Sequence, residues 1–318
     1  MSGSIEVLDA AATRARLGYR GAVAALEAAL LSGFDPATDV PRTAAPLGGA
    51  EALLMPSAVG DAVGVKVLTV APGNPALGLP RIQGVHLVLD PATFAPALIL
   101  DGAVLTGVRT PAVSMVGIRR ALDARVAAAG TPLSVVVFGT GPQAVAHVEA
   151  LREVCPDLAI GAVTHVARRP PAEPASLNGS AFVEASDAAS VADLLGRAGF
   201  VVCATTAREP LFDSAVLRDD VVVVAVGSHE ADARELDSAL LARAVVVVED
   251  VATALREAGD VVLAVRDGSL DPESLVPLAE VVSGRWAAEA TTRSQPFVVK
   301  TTGMSWEDAV VGATALDR

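Results

Sequence analysis

The sequence predicts an α/β protein: a doubly wound parallel sheet inserted into an α+β domain built from both chain ends. Three observations predict it. From Leu133 onward, short apolar runs alternate with helix-like segments, the pattern of a parallel sheet covered on both faces. Before that point, strand-like runs follow one another with Gly, Pro, Asn and Asp between them. The chain then closes on one strand-like and one helix-like segment, which read as a return to the first domain.

Taken in order, the chain reads as helical to about Ser32, most clearly over Gly21–Leu31. Strands are expected at Arg42–Pro46, Ala52–Met55, Val63–Val70, Val85–Leu89 and Ala97–Leu100. The loop Ala71–Arg81 holds three prolines and two glycines, which marks a structured excursion rather than a hairpin turn. A long helix is expected over Pro111–Ala129, with Arg109 near its N-terminus and Arg119, Arg120 and Arg125 on its polar side. Further strands are expected at Val135–Phe138, Ile160–Val166, Phe200–Ala204, Val221–Val226 and Val245–Glu249. Pro296–Lys300 and Ser305–Leu316 are the closing strand and helix. The expected domains are 1–115 with 295–318, and 116–294.

Composition excludes several function classes. Apolar residues make up 52% and charged residues 19% of 318, so a large core is available and disorder is not expected. A net charge of −13 disfavours nucleic acid and anionic membranes as partners. Met1–Arg20 has no apolar signal core, and runs such as Val221–Val226 are too short to span a bilayer. Cys155 and Cys203 are the only cysteines, which fits a reducing cytoplasm. The four histidines are too scattered for metal-ligand spacing.

The motif with the clearest chemistry is Gly139-Thr140-Gly141-Pro142-Gln143-Ala144, placed between the run Leu133–Phe138 and a helix-like segment. Gly139 permits a tight turn, and Gly141 lets the backbone approach a pyrophosphate at a helix N-terminus. The small Ala144 stands where a third glycine would allow close helix–strand packing. The next strand ends at Arg168-Arg169 with no acidic residue. Guanidinium groups suit a ribose 2′-phosphate, so NADP is favoured over NAD. A second constellation is cationic. Lys66 lies inside a valine-rich strand, Arg42 at a strand start, and Arg109 beside the long helix. Three cations in one small domain could converge on a carboxylate.

Together these segments resemble the ornithine cyclodeaminase/mu-crystallin family. The matches are Leu54-Met55-Pro56, Gly64-Val65-Lys66, Asp101-Gly102 through Arg109-Thr110, the Gly139–Ala144 turn, Ala225-Val226-Gly227 and Lys300-Thr301-Thr302-Gly303. The resemblance implies a homodimer, with a substrate-binding and dimerisation domain and a Rossmann-type domain. It places Arg42, Lys66 and Arg109 on the substrate carboxylate, with Lys66 also moving a proton. Thr110, Ala204, Thr205, Thr206 and Gly227 join the Gly-rich turn as cofactor-binding positions. Cys203, next to that loop, reads as a core residue.

Two departures bear on the substrate. Leu53 stands where the cyclodeaminases have a glutamate, and His229 where they have an aspartate. A carboxylate can hold a second ammonium on the substrate; leucine cannot, and histidine does so poorly. A histidine suits protonation of an imine instead. The expected activity is NAD(P)-dependent reduction of a cyclic imino acid, a pyrroline or piperideine 2-carboxylate, with Lys66 and His229 as catalytic residues. Ornithine cyclodeamination, linear amino-acid dehydrogenation, and ligand binding without turnover as in the crystallin branch are the alternatives.

Overall fold

The strands sort the chain into two sheets, one with strands that alternate between buried and more exposed residues, such as 50–59, and one with central strands buried throughout. The computed structural model describes residues 5–171, 173–286 and 295–316. Close contacts divide the chain into one unit of 1–113 with 303–318 and a second of 114–302.

The first unit carries α1 (Ala10–Arg16) and α2 (Tyr19–Leu31). Its strands are β1 (Glu6–Val7), β2 (Thr43–Leu47), β3 (Ala50–Val59), β4 (Ala62–Val70), β5 (Ile82–Leu89) and β6 (Pro96–Asp101). They form a sheet in the order β1-β6-β5-β4-β3-β2, antiparallel except where β1 joins β6. The closing helix α10 (Ser305–Ala313) lies on β3, β4 and β5 and against α2. Every residue of α10 is buried.

The second unit holds β7 (Leu133–Phe138), β8 (Ile160–Ala167), β9 (Ala181–Glu184), β10 (Phe200–Cys203), β11 (Val222–Ala225), β12 (Val245–Val248), β13 (Val276–Pro277) and β14 (Phe297–Lys300). All pair in parallel, in the order β13-β12-β14-β11-β10-β7-β8-β9. Its helices are α4 (Pro142–Val154), α5 (Ala188–Arg197), α6 (Ser238–Arg243), α7 (Val251–Glu257), α8 (Gly259–Arg266) and α9 (Leu278–Ser283). From β7 the chain builds outward to β9 and then returns to β10 on the other side. That reversal between β7 and β10 is the switch point at which doubly wound sheets take ligands.

Three expectations need correction. The strand Phe297–Lys300, assigned above to the terminal domain, runs between β11 and β12 in the second sheet. Its four residues are all buried, as a parallel strand covered on both faces requires. The expected boundary at 294 lies outside the described residues. The long helix α3 (Gly102–Ala129) begins nine residues before Pro111 and contains it, so Arg109 is not near its N-terminus. Asp101 starts it by accepting from Val104 N at 2.8 Å. The fully buried Leu105, Val108, Ala112 and Val113 outweigh the loss of one backbone hydrogen bond at proline. Arg125 is not on a polar side either. It is buried, and its guanidinium donates to Val221 O at 2.9 Å and Gln295 O at 2.8 Å.

Candidate functional site

In the first unit, strand register puts Met55, Lys66 and His86 in one row across β3, β4 and β5. The row lies on the buried face, where an ammonium needs a partner. Helix α10 supplies it. Lys66 Nζ donates to Asp308 Oδ1 at 2.6 Å and to Thr106 Oγ1 at 3.3 Å. Arg109 Nε reaches the same Asp308 oxygen at 3.1 Å, and its Nη1 donates to Glu307 Oε2 at 2.7 Å. Asp308 Oδ2 is buried with no hydrogen-bond partner among the described residues. Arg42 Nη1 donates to Gly303 O at 3.4 Å. Gly303 has φ +82°, and a Cβ there would stand 2.4 Å from Arg109 Nη1. The three expected cations therefore gather around one short segment, 303–308.

Burial dominates the electrostatics. It lowers Lys66 from 10.5 to about 8, against the attraction of Asp308 and with help from Arg109. Burial works against the Asp308 carboxylate too, but Lys66 and Arg109 outweigh it and hold the group below its ordinary value. Burial also drives His86 down to about 4, so the imidazole is neutral. His86 fits a slot left by two glycines: a Cβ on Gly64 or Gly312 would lie within 2.7 Å of its ring. The result is a buried lysine poised near neutrality, held in place by a carboxylate with one oxygen to spare. Such a group can give up a proton at physiological pH.

Leu53 is buried beside Met55 and Leu68, with Val70 and Ile82 packed against them. Where the resemblance places a glutamate, this chain has an apolar wall.

In the second unit, Gly139 has φ +112°, and a Cβ there would meet Ala204 O at 2.6 Å. The loops after β7 and β10 are thus in backbone contact at the switch point. His165 Nδ1 donates to Gly139 O at 2.8 Å and fixes the turn. Gly141 is the N-cap of α4 and gives the helix no side-chain cap. Pro142 occupies the first turn, Thr140 and Gln143 are half-buried, and Ala144 is fully buried under the turn. A Cβ on Gly141 would meet nothing within 4 Å. An uncapped helix start with open space in front of it suits a pyrophosphate, so these residues fit a dinucleotide.

The remaining expected positions fall as follows. Arg168 and Arg169 are exposed directly after β8. Thr110 is buried on α3 in the first unit. Thr206 follows Ala204 and Thr205 in the loop after β10. Thr205 N and Oγ1 each donate to Glu235 Oε1 at 2.7 Å, and Gly227 N donates to Glu235 Oε2 at 2.8 Å. His229 is half-buried in the loop after β11. Its neighbour Glu230 turns to an exposed pair with Arg208 at 2.6 Å. Cys203 is fully buried, and burial raises its thiol well above the ordinary value, so it is inert. Among the described residues no group of three His, Cys, Asp or Glu could hold a metal ion.

Sequence reading missed Glu307, Asp308, Glu235 and Asp260. Two adjacent acids after Trp306, in a segment otherwise apolar to Ala313, were the available signal for the first pair. Buried acids imply buried cations.

Comparisons with known proteins agree over nearly the full length. The model of the ornithine cyclodeaminase/mu-crystallin family matches residues 8–318. A Delta(1)-pyrroline-2-carboxylate reductase 2 from Burkholderia ambifaria is 33% identical over 327 residues, covering 98% of this chain and 96% of that one. A Delta(1)-pyrroline-2-carboxylate/Delta(1)-piperideine-2-carboxylate reductase from Azospirillum brasilense is also 33% identical over 327 residues, with coverage of 98% and 96%. Among solved structures, the Thermococcus litoralis Delta(1)-pyrroline-2-carboxylate reductase, in complex with NADH and L-proline, superposes with a TM-score of 0.83. It is 26% identical, with 98% and 96% of the two chains covered.

Proposed function

The chain belongs to the ornithine cyclodeaminase/mu-crystallin family, and from that premise we propose that it reduces cyclic imino acids with a nicotinamide cofactor. The substrates are Δ1-pyrroline-2-carboxylate and Δ1-piperideine-2-carboxylate, and the products are the cyclic amino acids. The observation that carries this reading is the buried Lys66–Asp308–Arg109 cluster of the first unit. Bound nicotinamide supplies a hydride to the imine carbon. Arg42 and Arg109 hold the carboxylate through charge-assisted hydrogen bonds. Lys66 supplies the proton that the imine nitrogen takes up, and His229 is the second candidate for that step. The C=N bond thus becomes CH–NH with one hydride and one proton consumed. Leu53 and its apolar neighbours accept ring methylenes and offer nothing to a second ammonium.

The reading is tested with purified protein and both imines, in the presence of NADPH or NADH. Cofactor oxidation with formation of the cyclic amino acid is expected. Proline and ammonia from ornithine with NAD would instead make the protein a cyclodeaminase. Ligand binding without turnover would place it with the crystallin type.

Arg168 and Arg169 support NADP over NAD, since both stand exposed directly after β8, where residues 166–170 include no acid. Losing charge-assisted bonds to a phosphate costs on the order of 2 kcal/mol. The Arg168→Ala, Arg169→Ala double variant is therefore expected to raise the KM for NADPH about thirtyfold and leave that for NADH unchanged. An equal KM change for both cofactors would remove the preference.

The protein is expected to work as a homodimer. On the outer face of the first sheet, Leu54, Val67 and Val85 form a cross-strand row exposed at 43, 40 and 44%. Beside it lies the row Pro56, Val65, Leu87 and Ile99. A continuous apolar sheet face of this kind suits a second copy of the same chain. Val67→Glu is expected to give a folded monomer in sedimentation, where the parent sediments as a dimer. Unchanged sedimentation would put the interface elsewhere. Among the described residues no helix is long and apolar enough to cross a membrane, and the two buried free thiols fit a cytoplasmic setting.

A further inference from the structure

Glu235 is fully buried, belongs to neither the Gly-rich turn nor the cation cluster, and yet takes three donors from two separate loops. We propose that Glu235 is a positioning residue that locks the loop after β10 to the loop after β11 in the arrangement that receives the dinucleotide. The proposal rests on the cofactor reading of Thr205, Thr206 and Gly227 given above.

The two loops touch without side chains between them. A Cβ on Gly227 would lie 2.1 Å from Thr205 O and 2.5 Å from Glu235 Oε1. Backbones that close leave their N–H groups little choice of partner, and buried N–H groups must be paired. Glu235 pairs them with one carboxylate: Oε1 takes the Thr205 amide and hydroxyl, and Oε2 takes the Gly227 amide. Both loops leave the carboxyl ends of neighbouring parallel strands, β10 and β11, on the edge where doubly wound folds bind ligands.

A second layer holds the carboxylate itself. Asp260 Oδ1 accepts from Glu235 N and Leu236 N, both at 2.8 Å. Its other oxygen pairs with Lys300 Nζ at 3.1 Å, and all three charged groups are buried. Lys300, at the end of β14, also donates to Ser228 O at 2.6 Å. Ser228 Oγ donates to Ala233 O at 2.6 Å. The residue immediately before His229 is therefore pinned from two directions. Burial raises the Glu235 carboxyl, and the attraction of Lys300 opposes that shift. The lysine of the Lys300–Gly303 motif thus acts as the counter-charge of this clamp.

Removing the charge of Glu235 strands at least one of three half-buried donors and lets the loops part. The carboxylate-binding cations belong to the first unit and Glu235 to the second. Cofactor affinity and imine affinity should therefore separate. The test is NADH binding by nicotinamide fluorescence, with imine KM at saturating NADH and a melting curve, for the parent protein, Glu235→Gln and Glu235→Asp. Glutamine keeps the shape but adds donors; aspartate keeps the charge but is too short to bridge both loops.

The expected result is a folded variant whose NADH Kd rises at least tenfold while imine KM stays within about twofold. A folded variant with the parent Kd overturns the proposal. So does a parallel rise of Kd and KM, which would mark general loosening. Should neither Glu235 variant fold, Thr205→Val, which removes the hydroxyl's bond to Glu235 together with the one it accepts from Ala207 N, is read in the same way, and an unchanged Kd again overturns it. A parent protein that binds neither NADH nor NADPH fails earlier, at the cofactor reading.

Discussion

Lys66→Met is expected to lower kcat for imine reduction by about 10²- to 10⁴-fold, the usual worth of a positioned proton donor, while NADH affinity stays within twofold of the parent. Methionine fills the lysine's buried volume without its charge, so the strand row Met55–residue 66–His86 keeps its packing. Asp308 retains Arg109 Nε as a partner, so the substitution does not leave that carboxylate without a cation. Lys66 and the Gly-rich turn belong to different units, which is why the loss should fall on turnover and imine KM and spare the cofactor. Steady-state kinetics with both imines and a fluorescence titration with NADH separate the two. A variant that keeps more than a tenth of kcat would move the proton donor to His229, and His229→Gln would then carry the large loss. Equal losses of turnover and cofactor affinity would show that Lys66 serves the fold of the unit rather than the reaction.

Much of this site was legible because its residues break local rules. A lysine in a valine run is costly unless something answers it, so Lys66 announced a site, and Gly139 announced a turn that other residues cannot adopt. What answers Lys66 was not legible. Asp308 lies 242 positions away, and acids in a helix ordinarily face water. Only the placement of α10 over β3 and β4 turns them inward. The same limit applies to Glu235: it reads as a surface acid in a turn-rich stretch, and its role arises from two loops that meet through tertiary contact. The position of β14 was missed for a related reason. Sequence order places Phe297–Lys300 next to the terminal helix, while its four buried residues serve a sheet begun far earlier in the chain. Pro111 misled in the opposite sense, since a strong local signal for a helix start was overridden by the burial of its neighbours.

Asp308→Asn should shift the pH dependence of the reaction in one direction only. The proton donor must be charged, so the rate is flat below the Lys66 value of about 8 and falls above it, tenfold per unit. The groups that face Lys66 are Asp308 and Glu307 from α10, Arg109 and Thr106 from α3, and His86 from β5. The two carboxylates favour its charge; burial and Arg109 oppose it. His86 is neutral and does not titrate with it near pH 8. Replacing Asp308 by Asn removes the largest favourable influence and leaves the unfavourable ones. The falling limb should move to lower pH by about 1–2 units, the usual effect of a close opposite charge. Titration of the free imine affects parent and variant alike, so the difference between their profiles reports on the enzyme. The stability effect has the opposite sign with pH. Lys66 has a folded value below its ordinary 10.5, so the unfolded chain holds the extra proton and this group's contribution to stability rises as pH climbs from 8. In Asp308→Asn the rise should begin at lower pH, because Lys66 loses its proton sooner. Profiles of kcat/KM and melting temperature from pH 6 to 10 test both halves. A limb that stays in place, or moves upward, would mean that the group titrating near pH 8 is not Lys66.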